Sequence, residues 1–323
     1  MNKLCIVIPY FGKQWPDYFR FYCDSLKNNP FLDVLLFTDI EQKIPVHSAN
    51  LIVKKLSAPQ LETLILEKTG IRANLNNIRK LCDFKPLYGH VFEDHLIEYK
   101  FWGYGDIDVI YGNLSKFLSH EVLKHDIITF REDWISGAFT LVANHSTGKL
   151  LYRQSKDHLS LLEKENYTGF DECCNKFGKL RDREDILAMT DDYRCWSFVC
   201  YQAQQEGKIK IFAREYIKES LPFDEILSYT KNSVLGSGHK HYALYHHISH
   251  KYSRGYYMPA WDDIPKEYEI TTTGIYSKDQ MGLYFGVVSK IRKAKSFFYQ
   301  SKKRLNDFLS FRIRKLQRRD EPQ

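Results

Sequence analysis

Two uninterrupted apolar runs, "KLCIVIP" (3–9) and "DVLLFTD" (33–39), constrain this chain more than any other feature. A strand without polar alternation has to be covered on both faces, which is the habit of parallel sheets. The segment between the runs, "QWPDYFRFYCDSLKNN", has helical spacing, with Tyr18, Phe21, Tyr22 and Ser25-Leu26 on one side. Strand, helix and strand over this length form one parallel crossover unit. The pattern continues. "SAPQLETLILEKTG" (57–70) predicts a helix capped by Ser57, with Gln60 three residues on, Leu61, Leu64 and Ile65 as its stripe, and Gly70 as its end. "LCDFKPLYGHVFEDHL" (81–96), "STGKLLYRQSKDHLSLLEK" (146–164) and "DDYRCWSFVCYQAQQEG" (191–207) predict further helices. "YKFWGYGDID" (99–108), "HDIITF" (125–130), "GAFTLVAN" (137–144) and "KIKIFA" (208–213) predict strands. The alternation predicts an α/β domain with a mainly parallel sheet flanked by helices, whose ligands collect at the carboxyl ends of strands. Asp39, Asp106 and Asp108 all fall at such ends and so are expected in one cleft.

Inside "FWGYGDIDVIYGNL" (101–114) two carboxylates interrupt an aromatic and aliphatic segment. Burying a carboxylate costs several kcal/mol unless a cation or good donors accompany it. In an extended segment residues i and i+2 share a side, so Asp106 and Asp108 are expected to project together while Ile107 turns to the core. Such a pair can share a hard cation, Mg²⁺ or Mn²⁺, together with a bound diphosphate. A surface turn starting at Gly105-Asp106 is the competing reading.

Seven scattered cysteines, an odd number with no CxxC pair, argue against a disulfide framework and a zinc knuckle and fit a reducing cytoplasm. The apolar run after Met1 is too short for a signal peptide, and no run approaches the roughly 18 apolar residues of a bilayer span. The net charge of +7 is concentrated in Val287–Gln323, where 12 Lys/Arg face 3 Asp/Glu, leaving the first 286 residues at −2. In this tail Val287, Ile291, Ala294, Phe298, Leu305, Phe308-Leu309, Ile313 and Leu316 recur near helical spacing. The composition suits a basic amphipathic helix on an anionic membrane surface; nucleic acid and a solvated terminus are the other readings. The expected organisation is a domain over residues 1–285 and a tail over 286–323.

Several motifs in order, "IVIPYFGKQWPDYF", "LLFTD", "KLCDFKP", "WGYGDIDVIYG" and "SGAFTL", resemble GT-A glycosyltransferases, especially bacterial capsule and O-antigen polysaccharide enzymes. The resemblance covers most of residues 4–260. It implies a GT-A, Rossmann-like fold, a nucleoside-diphosphate sugar donor such as a UDP-hexose, and Mn²⁺ or Mg²⁺. Carried over by position, Asp108 resembles the principal metal ligand, and Asp106 the partner that meets ribose or a metal-bound water. Asp39 resembles the residue that meets the nucleoside, a helix or turn cap being the alternative. Pro9, Tyr10 and Phe11 are expected to frame the base. A late histidine commonly completes such sites. "HYALYHHISHKY" (241–252) offers His246 first and His247 second, a polar surface segment being the alternative, and Lys251 or Lys85 for the diphosphate, either of which could instead be a solvated charge. Trp134 and Gly137 are expected at the sugar pocket, Trp134 by stacking on a sugar face or as a buried ring beside a strand. An inverting enzyme needs a carboxylate base. Asp191 and Asp192 are slightly favoured over Asp171 and Glu172, and all four also suit a helix N-terminus.

The implied reaction is transfer of a hexose to a hydroxyl of a cell-surface glycan or its lipid-linked precursor, by a protein peripheral on the inner membrane face. Two rivals stand beside it. One is a nucleotidyltransferase or other metal-dependent phosphodiester enzyme, against which the lack of a glycine-rich P-loop counts. The other is a non-catalytic glycan- or membrane-binding protein. No nucleic-acid partner is expected; donor and acceptor identity, stereochemistry and oligomeric state stay open.

Overall fold

The computed structural model describes residues 3–189, 193–222, 225–251, 253–281, 290–291, 293–298 and 300–303. The chain divides into two compact units. The first comprises Met1–Lys218, Asn232–Val234 and His241–His246; the second comprises Glu219–Lys231, Leu235–Lys240 and His247–Gln323.

The first unit is built on a seven-stranded sheet. Its strands are β1 (Leu4–Pro9), β2 (Leu32–Thr38), β3 (Leu51–Lys55), β4 (Phe101–Gly105), β6 (Ile127–Thr129), β7 (Phe139–Ala143) and β8 (Ile211–Ala213); the short β5 (Val109–Tyr111) lies outside it. The order is β3-β2-β1-β4-β7-β6-β8. β3, β2, β1 and β4 pair in parallel, β7 runs against β4 and β6, and β8 is parallel to β6. One strand of seven is therefore reversed, and the expected mixed α/β architecture with a large, mostly parallel sheet is present.

Both faces of this sheet are covered, which is what the uninterrupted apolar runs require. Leu4, Ile6 and Ile8 of β1 pack into one core with Phe19, Tyr22 and Leu26 of helix α1 (Phe19–Lys27). Cys5 and Val7 point into the other, with Leu61 and Ile65 of helix α2 (Ala58–Thr69) and with Trp102 and Tyr104. Each such side chain contributes about 1.5–3 kcal/mol by leaving water. Helix α2 has the expected ends. Ser57 Oγ accepts the Gln60 amide, the Gln60 side chain accepts the Ser57 amide, and Gly70 closes the helix at φ 77°, a left-handed conformation that glycine adopts without strain.

Three local expectations are corrected. Residues 81–96 do not make one α-helix. A 3₁₀ helix, Ile78–Leu87, leads into one α-turn, Tyr88–Val91, and a second 3₁₀ turn, Glu93–His95. Pro86 lies inside the first and has no amide to donate to an α-helical ladder. Residues 146–164 split into Ser146–Leu150, Leu151–Gln154 and His158–Leu162. The break is at Ser155, which is extended; its hydroxyl accepts the Asp157 amide and donates to the Arg194 carbonyl, so the side chain competes with the helix for backbone groups. Finally, Asp106, Ile107 and Asp108 are not part of an extended strand. They form the turn between β4 and β5, although Ile107 does enter the core as expected.

In the second unit, Leu227–Thr230 pairs antiparallel with Tyr268–Thr271, which forms a hairpin with Gly274–Ser277. Tyr229 and Tyr268 stack at 4.7 Å. Of the predicted tail, the described residues between 290 and 303 are helical, with Ile291, Phe297 and Phe298 exposed. Residues 286–289 and 304–323 lie outside the described residues.

Candidate metal centre

Strand order locates the site before any side chain is considered. The chain moves from β1 outward to β2 and β3, then returns to place β4 on the other side of β1. Connections therefore leave β1 and β4 in opposite directions, the switch point at whose carboxyl ends open α/β sheets bind ligands. The ladder Val7↔Tyr104 ends just short of that edge, so its register continues to Pro9 level with Asp106. Reversal of β7 brings the residues before Phe139 to the same edge, where the Asp106 amide donates to the Ala138 carbonyl.

A second strand pairing supplies the histidine. Leu244–His246 runs antiparallel to β5 and sets His246 opposite Val109, beside Asp108. β5 is in turn held from below. Ser25 Oγ accepts the Tyr111 amide at 3.0 Å, and the buried Asn29 side chain donates to the Gly112 carbonyl and accepts the Leu114 amide. Neither Ser25 nor Asn29 was singled out from sequence as a site residue. The usable signal was Ser25 itself, a hydroxyl on the apolar side of α1.

Asp106, Asp108 and His246 converge, one ligand atom of each lying within 4.8 Å of the others. His246 Nε2 is 3.4 Å from Asp108 Oδ1 and 3.6 Å from Asp106 Oδ2. Neighbouring ligands of one ion with bonds near 2.2 Å are separated by roughly 3 Å, so a small inward movement would let all three share a cation. Asp108 and His246 are each 4 % exposed, while Asp106 faces partly outward. Two carboxylates suit Mg²⁺ or Mn²⁺, and the imidazole favours Mn²⁺ of the two. The donor set thus fits the expected group.

Lys85 closes the inner side. Its Nζ donates to Asp106 Oδ1 at 2.7 Å and to the Gly137 carbonyl at 2.9 Å, and lies 3.9 Å from Asp171 Oδ2. Burial alone would lower its pKa; the surrounding negative charge, Asp106 foremost, more than offsets this and pushes it well up, so the ammonium stays charged. Lys85 is thus bound to protein groups rather than being a solvated surface charge. Asp171 is buried, and burial drives its carboxyl well above the usual range, with Lys85 opposing. Its Oδ1 accepts the Tyr167 hydroxyl at 3.1 Å. Glu172 is half-buried, and its Oε1 accepts the Gly137 amide at 2.7 Å and the Trp134 indole at 3.2 Å. A Cβ on Gly137 would stand 2.9 Å from Asp171 Oδ2, so only glycine fits this wall without displacement.

The turn carrying Asp171 and Glu172 has its own anchor. Lys80 and Asp83, both fully buried, pair at 2.9 Å. Asp83 also accepts the amides of Thr168 and Phe170, and Lys80 donates to the carbonyls of Leu161 and Asn166. Sequence reading missed this pair as well as Tyr167. Lys and Asp three residues apart in "KLCDFKP" are its only trace.

The remaining predicted residues are placed as follows. Pro9 ends β1 and Tyr10 follows it, stacked on Trp15 at 5.9 Å, while Phe11 is buried in the core. Asp39 is exposed just past β2, on the same sheet edge and two strands, roughly 10 Å, from β4. Stacking of Trp134 on a sugar face is corrected. The ring is 2 % exposed, with Arg131 over it at 4.1 Å, Arg181 at 5.5 Å and Phe177 edge-on at 5.0 Å. It is the alternative, a buried ring, and it steadies Glu172. His247 and Lys251 belong to the second unit, where His247 is buried edge-on against Tyr256 at 4.6 Å. Asp191 and Asp192 lie outside the described residues.

The fold and site define an α/β protein with an Asp-Asp-His cluster at the switch point of a mostly parallel sheet. A family model matches residues 6–279, most of the chain, and the protein belongs to that family, a family of unknown function designated DUF6625. None of the curated proteins searched matches it.

Proposed function

We propose that this protein is a metal-dependent glycosyltransferase of GT-A type. It moves a hexose from a nucleoside-diphosphate sugar, such as a UDP-hexose, to a hydroxyl of a cell-surface polysaccharide or its lipid-linked precursor. The observation that carries the reading is the Asp106–Asp108–His246 cluster at the carboxyl end of β4, with Lys85 beside it. These three residues would hold Mn²⁺ or Mg²⁺, which when bound supplies positive charge where the departing diphosphate becomes negative. Lys85, donating to Asp106 Oδ1, orients that carboxylate. The buried walls, Asp108 and His246 among them, keep the cluster in a poorly solvated setting where charge interactions are strong. Among the described residues, Asp171 and Glu172, both beside Gly137, are carboxyl groups at hand for an acceptor hydroxyl or sugar hydroxyls.

The test is a thermal-shift screen of nucleotide sugars with and without Mn²⁺. A donor at 100 times its dissociation constant stabilises by about 2.7 kcal/mol. One donor should raise the melting temperature only with Mn²⁺, and Asp108→Ala should abolish the gain. Stabilisation by nucleoside triphosphates instead of nucleotide sugars would favour a nucleotidyltransferase, and no metal-dependent ligand at all would favour a non-catalytic protein.

We also propose peripheral attachment of the protein to an anionic membrane face, where a lipid-linked acceptor resides, through the basic tail. Among the described residues no helix is long and apolar enough to cross a membrane. Exposed Ile291, Phe297 and Phe298 among lysines are the pattern of an interfacial helix. Co-sedimentation with anionic but not zwitterionic vesicles, lost on removing residues 287–323, is the expected result.

A further inference from the structure

Lys85 stands between two carboxylates that it serves unequally. Its ammonium is 2.7 Å from Asp106 Oδ1 and 3.9 Å from Asp171 Oδ2, with the Gly137 carbonyl as a fixed third partner at 2.9 Å. A Cβ at Gly137 would stand 2.9 Å from Asp171 Oδ2, so the bare glycine leaves room beside that oxygen. Four carboxylates, Asp106, Asp108, Asp171 and Glu172, gather around this one ammonium and His246. Asp171 is held in place from its other oxygen by Tyr167. Asp106 Oδ1 is thus taken by a resident cation, and only Oδ2 faces His246.

We propose that Lys85 is a positioning residue that competes with a divalent cation for Asp106, and that Asp171 receives its ammonium when the cation is taken up. The movement required is on the order of 1 Å, about the difference between the 3.9 Å separation and a hydrogen bond. Uptake of the ion at Asp106, Asp108 and His246 repels the ammonium, and Asp171 Oδ2, 3.9 Å away, offers it a second acceptor. Asp171 thereby sets the affinity of a cluster to which it is not itself a ligand. The inference rests on reading that cluster as a cation site.

Mn²⁺ titration by calorimetry, with electron paramagnetic resonance of free Mn²⁺ as a second measure, tests this through a double-mutant cycle without any assay of catalysis. Lys85→Met removes the competitor and should tighten Mn²⁺ binding by roughly ten-fold, within the range of changes next to metal ligands. Asp171→Asn should weaken binding several-fold in the wild-type background and have little effect once Lys85 is Met. Equal weakening by Asp171→Asn in both backgrounds, or weaker binding in Lys85→Met, overturns the proposal and leaves the cation site standing. No Mn²⁺ binding by the wild-type protein overturns both. Should Asp171→Asn fail to fold, the structure of the wild-type protein soaked with Mn²⁺ decides. Lys85 Nζ within hydrogen-bond distance of Asp171 supports the exchange, and Lys85 still on Asp106 refutes it.

Discussion

Substitution of Asp83 should be among the most damaging single changes in the chain. Its carboxylate is fully buried and meets four donors: Lys80 Nζ at 2.9 Å, the Thr168 amide at 2.8 Å, the Thr168 hydroxyl at 3.0 Å and the Phe170 amide at 2.8 Å. Asp83→Asn replaces one acceptor oxygen by an NH₂ that faces donors, and it leaves the equally buried Lys80 without its counter-charge. Breaking a buried ion pair from one side costs about 3–5 kcal/mol. For a chain of this size that is a fall in melting temperature on the order of 10 °C. Lys80→Met should cost less, because Asp83 keeps its two amides and the Thr168 hydroxyl. The double variant should be more stable than the sum of the single effects allows, by at least about 1 kcal/mol, since the pair is in direct contact. Urea midpoints and thermal melting of the four proteins measure these differences. A loss below about 1 kcal/mol for Asp83→Asn, or strict additivity, would refute the idea that this pair anchors the 161–170 segment.

Three further outcomes are expected. Gly137→Ala should cost about 1–3 kcal/mol through overpacking against Asp171 and Glu172, whereas Gly178→Ala, with nothing within 4 Å of the new methyl, should not destabilise; equal denaturation midpoints for the two would contradict the close approach. Ser57→Ala removes one half of the capping box and should lower stability by about 1 kcal/mol in the same assay, with Ser57→Gly costing less. His90 is lowered from its ordinary 6.5 by burial and then by Arg153, and its Nδ1 lies 3.0 Å from the Tyr152 hydroxyl. The native state therefore binds its proton less readily than the unfolded chain, so stability is lost as pH falls below about 6.5. His90→Gln should flatten that part of the stability profile, and an unchanged slope would remove His90 from the explanation.

How much of this was legible in the sequence depended on how local the cause was. The apolar runs of β1 and β2 and the Ser57–Gly70 boundaries of α2 were readable because burial on two faces and capping act within a few residues. The acid pair was readable as chemistry but not as geometry. Asp106 and Asp108 are brought together by a turn, where the spacing suggested an extended strand. Asp83 and Lys80 were invisible as a unit because their partners are backbone groups some 80 residues later, and backbone partners leave no side-chain signature. Trp134 was ambiguous for a related reason. An aromatic beside a strand start suits a sugar or a core equally, and the decision rests with Arg131, Arg181 and Phe177, the last two more than 40 residues further on.

The reversal of β7 explains why so many polar groups meet at one edge of the sheet. A sheet with every strand parallel would put the approach to the strand after β4 at the opposite edge from Asp106. Because β7 runs the other way, Ser136, Gly137 and Ala138 arrive beside Asp106, and the Gly137 carbonyl and amide bind Lys85 and Glu172. Antiparallel pairing of Leu244–His246 with β5 brings His246 to Asp108 by the same logic. The two reversals fix the cluster through backbone ladders, while its charges are balanced by side chains from 3₁₀ and loop segments. Replacing Lys85 or Asp171 should therefore change cation affinity with less effect on the fold than removing Asp83, which ties loop backbone directly. A Lys85→Met protein that melts as low as Asp83→Asn would break that division between scaffold and site.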